Sequence, residues 1–255
     1  MYCGSLIRSG NNAKTVKGDG VYETAILYLA PSTVSGAGNV CPMALTAKCI
    51  HGCLYSAGRG AFNSVQQARI NKTARYFQNR ELFMSELSLD LQGFVNYCIR
   101  KGVKPAVRLN GTSDIQYEVG HEAERYGWTK NGNVITRYAS IFEAFPEVTF
   151  YDYTKIAKRT RRALPANYSL VLSYSNANPA YAADILAAHR DTGANIAVVF
   201  RDKATRAKYM ATGFHGVPVI DGDRDDLRFN DPAGVIVGLY AKGKAKADQS
   251  GFVID

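Results

Sequence analysis

A chain of 255 residues, 46% apolar and 11% aromatic, can bury a full core, which excludes a disordered segment and a disulfide-stapled miniature. Its 31 Lys and Arg against 22 Asp and Glu give a net charge of +9, a balance that suits anionic partners or substrates and serves solubility equally well. No stretch approaches the ~18 apolar residues of a membrane span, and residues 1–20 are polar where a secretory signal needs an apolar run. A soluble, cytoplasmic protein with no membrane partner is therefore expected.

Residues 1–20 read as an N-terminal extension. Residues 22–31 (YETAILYLAP) are rich in β-formers and predict a strand, followed by a loop over 32–40 and then a cysteine segment. From Ala61 the pattern turns helical, with Phe62, Val65, Ala68, Ile70 and Phe77 on one stripe. A second helix follows over 81–102, carrying Leu82, Phe83, Leu87, Leu91, Phe94, Val95 and Ile99, with Gly102 as its stop. Strands are then predicted at 105–109, 148–151, 169–172, 195–200, 217–220 and 234–239. Helices are predicted at 138–145, 156–164, 179–189 and 204–210. Residues 242–255 are mostly polar and read as a cap or an edge.

About seven short apolar strands alternating with helices indicate parallel βαβ units. The expected fold is one α/β domain over 1–255. It is a parallel (β/α) barrel or partial barrel with the cysteine loop after the first strand, and an open doubly wound sheet is the competing architecture. In such folds the working face lies at the C-terminal ends of the strands. The residues there form a polar set: Asn110, Gly111 and Asp114; Asp152 and Lys155; Ser173 and Ser175; Arg201 and Asp202; Asp221 and Asp223; Lys242.

The chain has five cysteines, an odd count without a signal, which argues against a disulfide framework. Cys41, Cys49 and Cys53 fall within thirteen residues as C-x7-C-x3-C. Three thiolates from one loop suit a [4Fe–4S] cluster and leave one iron open to substrate, cofactor or water. Two other readings stay open: buried cysteines without metal, and zinc, for which His51 between Cys49 and Cys53 is sterically awkward and His121, His189 or His215 would supply the fourth ligand.

Elsewhere, Asn110, Ser113 and Asp114 lie in a small-residue loop suited to cradling a carboxylate or phosphate, or simply to capping a helix. Asp152 and Lys155 pair a carboxylate with an amine, either as an anion-stabilising site or as a surface salt bridge. Ser173 and Ser175 offer hydroxyls, with a serine activated by Lys155 as the sharper reading. Asp221 and Asp223 suit a ribose or an amino group, or a solvated turn. The run Lys158-Arg159-Thr160-Arg161-Arg162 suggests weak nucleic-acid contact or a solvated helix face. Arg59, between Gly58 and Gly60, places a guanidinium near the cysteine loop.

A cluster-binding three-cysteine loop after the first strand of a partial parallel barrel resembles the radical S-adenosylmethionine superfamily. That resemblance implies S-adenosylmethionine as cofactor, with strand-end Asn, Ser and Asp groups holding it. The superfamily typically has C-x3-C-x2-C with an aromatic before the last cysteine. Here the spacings are seven and three, Gly52 precedes Cys53, and Tyr55 follows two residues later. The strings YETAILYLAP, NVCPMA with the later Cys49 and Cys53, AGRG, VRLNGTSD, YDYTK, VIDGD with DLRF, and VGLYAKGKA resemble a bacteriophage family known as gene product 88. They reach from about Lys14 to Val253 and imply a phage origin, without an activity to carry over.

Overall fold

The computed structural model describes residues 5–9, 19–130 and 132–255. Cys3 and most of the expected N-terminal extension lie outside them. Strand β1 (Ile7–Ser9) pairs antiparallel with β2 (Tyr22–Leu27). The cysteine loop follows, then helices α1 (Asn63–Gln78) and α2 (Arg80–Lys101), strand β3 (Lys104–Arg108), and a hairpin of β4 (Ala123–Thr129) and β5 (Gly132–Tyr138). The second half runs α3 (Ile141–Ala144), β6 (Thr149–Thr154), β7 (Tyr168–Ser173), α4 (Pro179–Thr192), β8 (Ile196–Phe200), α5 (Lys203–Thr212), β9 (Val219–Asp221), β10 (Ile236–Tyr240) and β11 (Val253–Ile254).

The main sheet has the order β1-β2-β3-β6-β7-β8-β10-β9, with β11 added on β8. From β2 onward every pairing is parallel. The first five parallel strands sit in chain order, and the curled sheet forms a half-barrel. Among the described residues no ladder joins β9 back to β1 or β2.

Local chemistry explains the helices. Asn79 caps α2 by accepting from the Leu82 N–H, and Gly102 ends it at φ +70°. Its apolar face, Phe83, Leu87, Leu91, Phe94 and Val95, packs with Val107 and Phe150 of the sheet. Helix α4 opens with Asn178 as cap and Pro179 in its first turn, and Gly193 closes it. It buries Ile185 and Ala188 against Leu172, Ile196 and Val198. The opposite face of the sheet carries Val171, Ala197, Val237 and Tyr153. The buried pair Arg108–Asp226 also lies there, with Tyr151 donating to the Asp226 carboxylate.

Two expectations need correction. The basic helix over 156–164 is a single 3-10 turn, Ala157–Arg159. Ile156 is extended, and Arg159 turns inward to ion partners instead of lining a solvated helix face. The first strand ends at Leu27, because beyond it the chain leaves β3 to enter the cysteine loop.

Candidate metal centre

Cys41, Cys49 and Cys53 lie on the long connection that leaves the C-terminal end of β2. Backbone and side-chain bonds hold this loop against neighbouring strand ends. The Thr112 hydroxyl donates to the Leu29 carbonyl (2.5 Å), the Asp114 N–H to the Val40 carbonyl (2.8 Å), and the Ser175 hydroxyl to the Ala47 carbonyl (2.8 Å). From the helix side, Thr73 of α1 accepts from the Ala30 N–H. Gly38 lies flat against Phe77, where a Cβ would stand 2.4 Å from the ring. Gly38→Ala is therefore expected to cost about 1–3 kcal/mol in a thermal melt. A cost near zero would mean the loop is not clamped on α1.

The loop also holds strained backbone. Ser32 at φ +50° and Lys48 at φ +54° are non-glycine residues in the left-handed region, and Lys48 directly precedes Cys49. Such conformations persist only where the surroundings impose them, and they gather at functional sites.

The three sulfurs are electrostatic neighbours. Burial pushes the Cys41 thiol up to about 12, opposed by the Ser32 backbone, with Cys53, Asp114 and Cys49 adding to the rise, and the thiol donates to the Thr112 carbonyl at 3.7 Å. Burial likewise raises Cys53, whose sulfur faces the Tyr55 N–H, with Cys49, Lys155 and Arg69 around it. Among the described residues no group of three or more His, Cys, Asp or Glu side chains is gathered for a single metal ion. A cubane is wider than an ion and spreads its thiolates accordingly. The donors that such a larger group would draw on are three half-buried free thiols, with the cations Arg69 and Lys155 beside Cys53.

The remaining expected site residues divide into three groups. Lys155 and Ser173 meet: the Lys155 ammonium donates to the Ser173 hydroxyl at 2.5 Å and stands 5.0 Å from the Phe252 ring centroid.

Asn110, Ser113, Asp114, Asp152 and Ser175 are all buried and hold the loops in shape. Asp152 is 0% exposed and accepts from the Asn110 backbone N–H (2.7 Å), the Asn110 amide and the Tyr168 hydroxyl. Burial lifts its carboxyl to about 6, against the pull of Arg108. The Asn110 amide oxygen accepts from the Ser113 hydroxyl and the Ile115 N–H. Asp114 accepts from Thr154, Arg159 and the Lys155 N–H.

Asp221 and Asp223 lie at the β9 edge. Arg206 donates to both, and Lys242 donates to Asp223. Their network involves β9, β10 and α5, whereas the cysteine loop rests on the ends of β2, β3 and β7.

Sequence reasoning missed two features of this region. Arg69 of α1 brings a guanidinium to Cys53. The tail also crosses the site. The Asn176 N–H donates to the Gly251 carbonyl, β11 pairs with the outer end of β8, and Phe252 packs so closely on Gly52 that a Cβ there would stand 3.0 Å from the ring. A pocket of about 200 Å³ opens between His51 of the cysteine loop and Lys244, Gln249 and Ser250 of the tail. Among the described residues no helix is long and apolar enough to cross a membrane.

No curated protein and no solved structure matches the chain. The model of the family described as gene product 88 matches residues 5–255. With nearly its whole length matched, the chain belongs to the gene product 88 family.

Proposed function

We propose that this is an iron–sulfur enzyme of radical S-adenosylmethionine type, with Cys41, Cys49 and Cys53 holding a [4Fe–4S] cluster on one (β/α) partial-barrel domain. The observation that carries the reading is a set of three free thiols, electrostatic neighbours of one another, in one strained loop at the strand ends. When bound, the cluster supplies one electron for reductive cleavage of S-adenosylmethionine. The protein contributes the positions around it. Ser32 and Tyr55 orient the thiolates, Lys155 and Ser173 offer polar contacts beside them, and the 242–255 tail shields the centre from water. The pocket beside His51 gives an unidentified small molecule a place to approach. Free thiols in the described chain suit a reducing cytoplasm, that of a bacterial host for a phage protein.

Anaerobic reconstitution should yield brown protein with about four irons and four sulfides per chain. Cys41→Ser, Cys49→Ser and Cys53→Ser should each lose most of the iron, while Cys98→Ser, buried on α2, should keep it. Dithionite-reduced protein should then convert S-adenosylmethionine slowly to 5′-deoxyadenosine and methionine. Colourless protein with stoichiometric zinc would sink the proposal.

A second reading rests on the 2.5 Å contact between Lys155 and Ser173: hydrolysis or dehydration, with a serine assisted by lysine or an open iron acting as a Lewis acid. For nucleic acid, the basic run offers only a weak surface, because Arg161 is ion-paired to Asp184 and Asp191. Duplex DNA binding should fall steeply with salt. A tight complex at physiological salt would instead favour a nucleic-acid-binding module.

A further inference from the structure

Arg69 projects from the face of α1 that also buries Lys72, Thr73 and Tyr76, and it is only 7% exposed. Its guanidinium lies 4.6 Å from the Tyr28 ring centroid and 5.5 Å from that of Tyr55. Its Nη1 reaches the Tyr55 carbonyl at 3.4 Å, a long and weak bond. Its Nε–H is buried and, among the described residues, has no acceptor. Among the described residues the acidic groups acting on it are Tyr28, Cys53 and Tyr55, none of them a carboxylate. A cation taken out of water without an anion is expensive, and stacking on two rings offsets only part of that cost.

Tyr55 links this cation to the cysteine centre. Its N–H faces the Cys53 sulfur while its carbonyl faces Arg69. The turn leaves no slack, since a Cβ on Gly60 would stand 2.5 Å from that carbonyl oxygen and 3.2 Å from Arg69 Nη1. The guanidinium is thus fixed within one residue of the thiol, with an unsatisfied donor.

We infer that Arg69 forms a buried anion-binding position at Cys53, filled by the negative charge of the thiolate-bound iron–sulfur centre. This deepens the proposed function and rests on it for the identity of the anion. The anion position itself rests on the geometry alone. A local conflict of this kind, a buried cation beside thiols and no carboxylate, marks a residue whose partner arrives with function.

A double-mutant cycle separates the two. In metal-free, reduced protein, Cys53→Asp places a fixed negative charge where the thiolate would be. With Arg69 present it should be tolerated. With Arg69→Met it should lower the melting temperature by several degrees more than it does alone. Arg69→Met by itself should leave the metal-free melting temperature unchanged or raised, and Arg69→Gln serves where the Met variant does not fold. In reconstituted protein, Arg69→Met should shift the cluster's midpoint potential to more negative values and speed iron loss to a chelator, because the reduced centre carries the extra negative charge. Iron uptake with no coupling and no potential shift would overturn the anion position and leave the cluster standing. Coupling in a wild-type protein that takes up no iron would keep the anion position and sink the cluster reading.

Discussion

Arg159→Ala should unfold this protein or bring it close to unfolding. Arg159 is 0% exposed and makes five polar contacts. Nε and Nη2 grip the two oxygens of Glu118 at 2.8 Å each, Nη1 donates to Asp114 at 2.7 Å, and Nη2 reaches the Tyr168 hydroxyl at 2.9 Å. Removing it takes the ion partner from two buried carboxylates, leaving Glu118 without its bidentate cation and Asp114 with only the neighbouring Lys155 charge. Breaking a buried ion pair in this way costs about 3–5 kcal/mol, against a total of about 5–15 kcal/mol for a typical domain. A surface arginine would cost less than about 0.5 kcal/mol, so chemical denaturation decides cleanly between the two placements. The damage should also reach the cysteines, because the Asp114 N–H holds the Val40 carbonyl, next to Cys41. Neutralising the orphaned acids as well, with Glu118→Gln and Asp114→Asn, should recover part of the loss. If the triple variant is no better than Arg159→Ala, the lost packing and not the stranded charge sets the cost.

That residue also shows where a sequence stops being legible. Within KRTRR, Arg159 looks like one charge in a solvated run. Only Asp114 and Glu118, more than forty residues earlier, draw it inward. Arg69 is hidden in the same way inside a polar helical stretch. The strands and longer helices were readable because their signals are local: apolar runs at 105–109 and 195–200, and the caps Asn79 and Gly102 around α2. The β4–β5 hairpin escaped because β5 is exposed along nearly its whole length and shows no apolar alternation. The Asn131-Gly132 dipeptide between two β-rich runs was the available hint. For the site, the cysteine spacing brought the thiols to notice. By contrast, Asp114 and Asp152 look like ligand contacts in sequence because strand-end carboxylates often are. Here both are enclosed by donors from neighbouring loops. A mutation at Asp114 should therefore disturb folding before it disturbs any cofactor.

Lys155 and Ser173 separate the two enzyme readings, and the expected difference is large. Both lie at strand ends, Lys155 beside Cys53 and Ser173 against Lys155, and neither is one of the three proposed thiol ligands. Ser173→Ala and Lys155→Ala should leave the iron and sulfide content of reconstituted protein near the wild-type value. Under the radical reading, slow cleavage of S-adenosylmethionine should persist in Ser173→Ala within a few-fold. Lys155→Ala should weaken cofactor binding more, because it removes a cation beside the centre. Under the serine–lysine reading, hydrolysis of a model ester or amide should fall by about a thousandfold or more in both variants, since removing a nucleophile or its base disables the same step. The cysteine variants complete the test. If ester hydrolysis survives Cys53→Ser but disappears in Ser173→Ala, the cluster is not the working centre and the hydrolase reading takes its place. If deoxyadenosine formation disappears in Cys53→Ser and survives in Ser173→Ala, the thiols carry the chemistry and the Lys155–Ser173 contact serves to position a bound group.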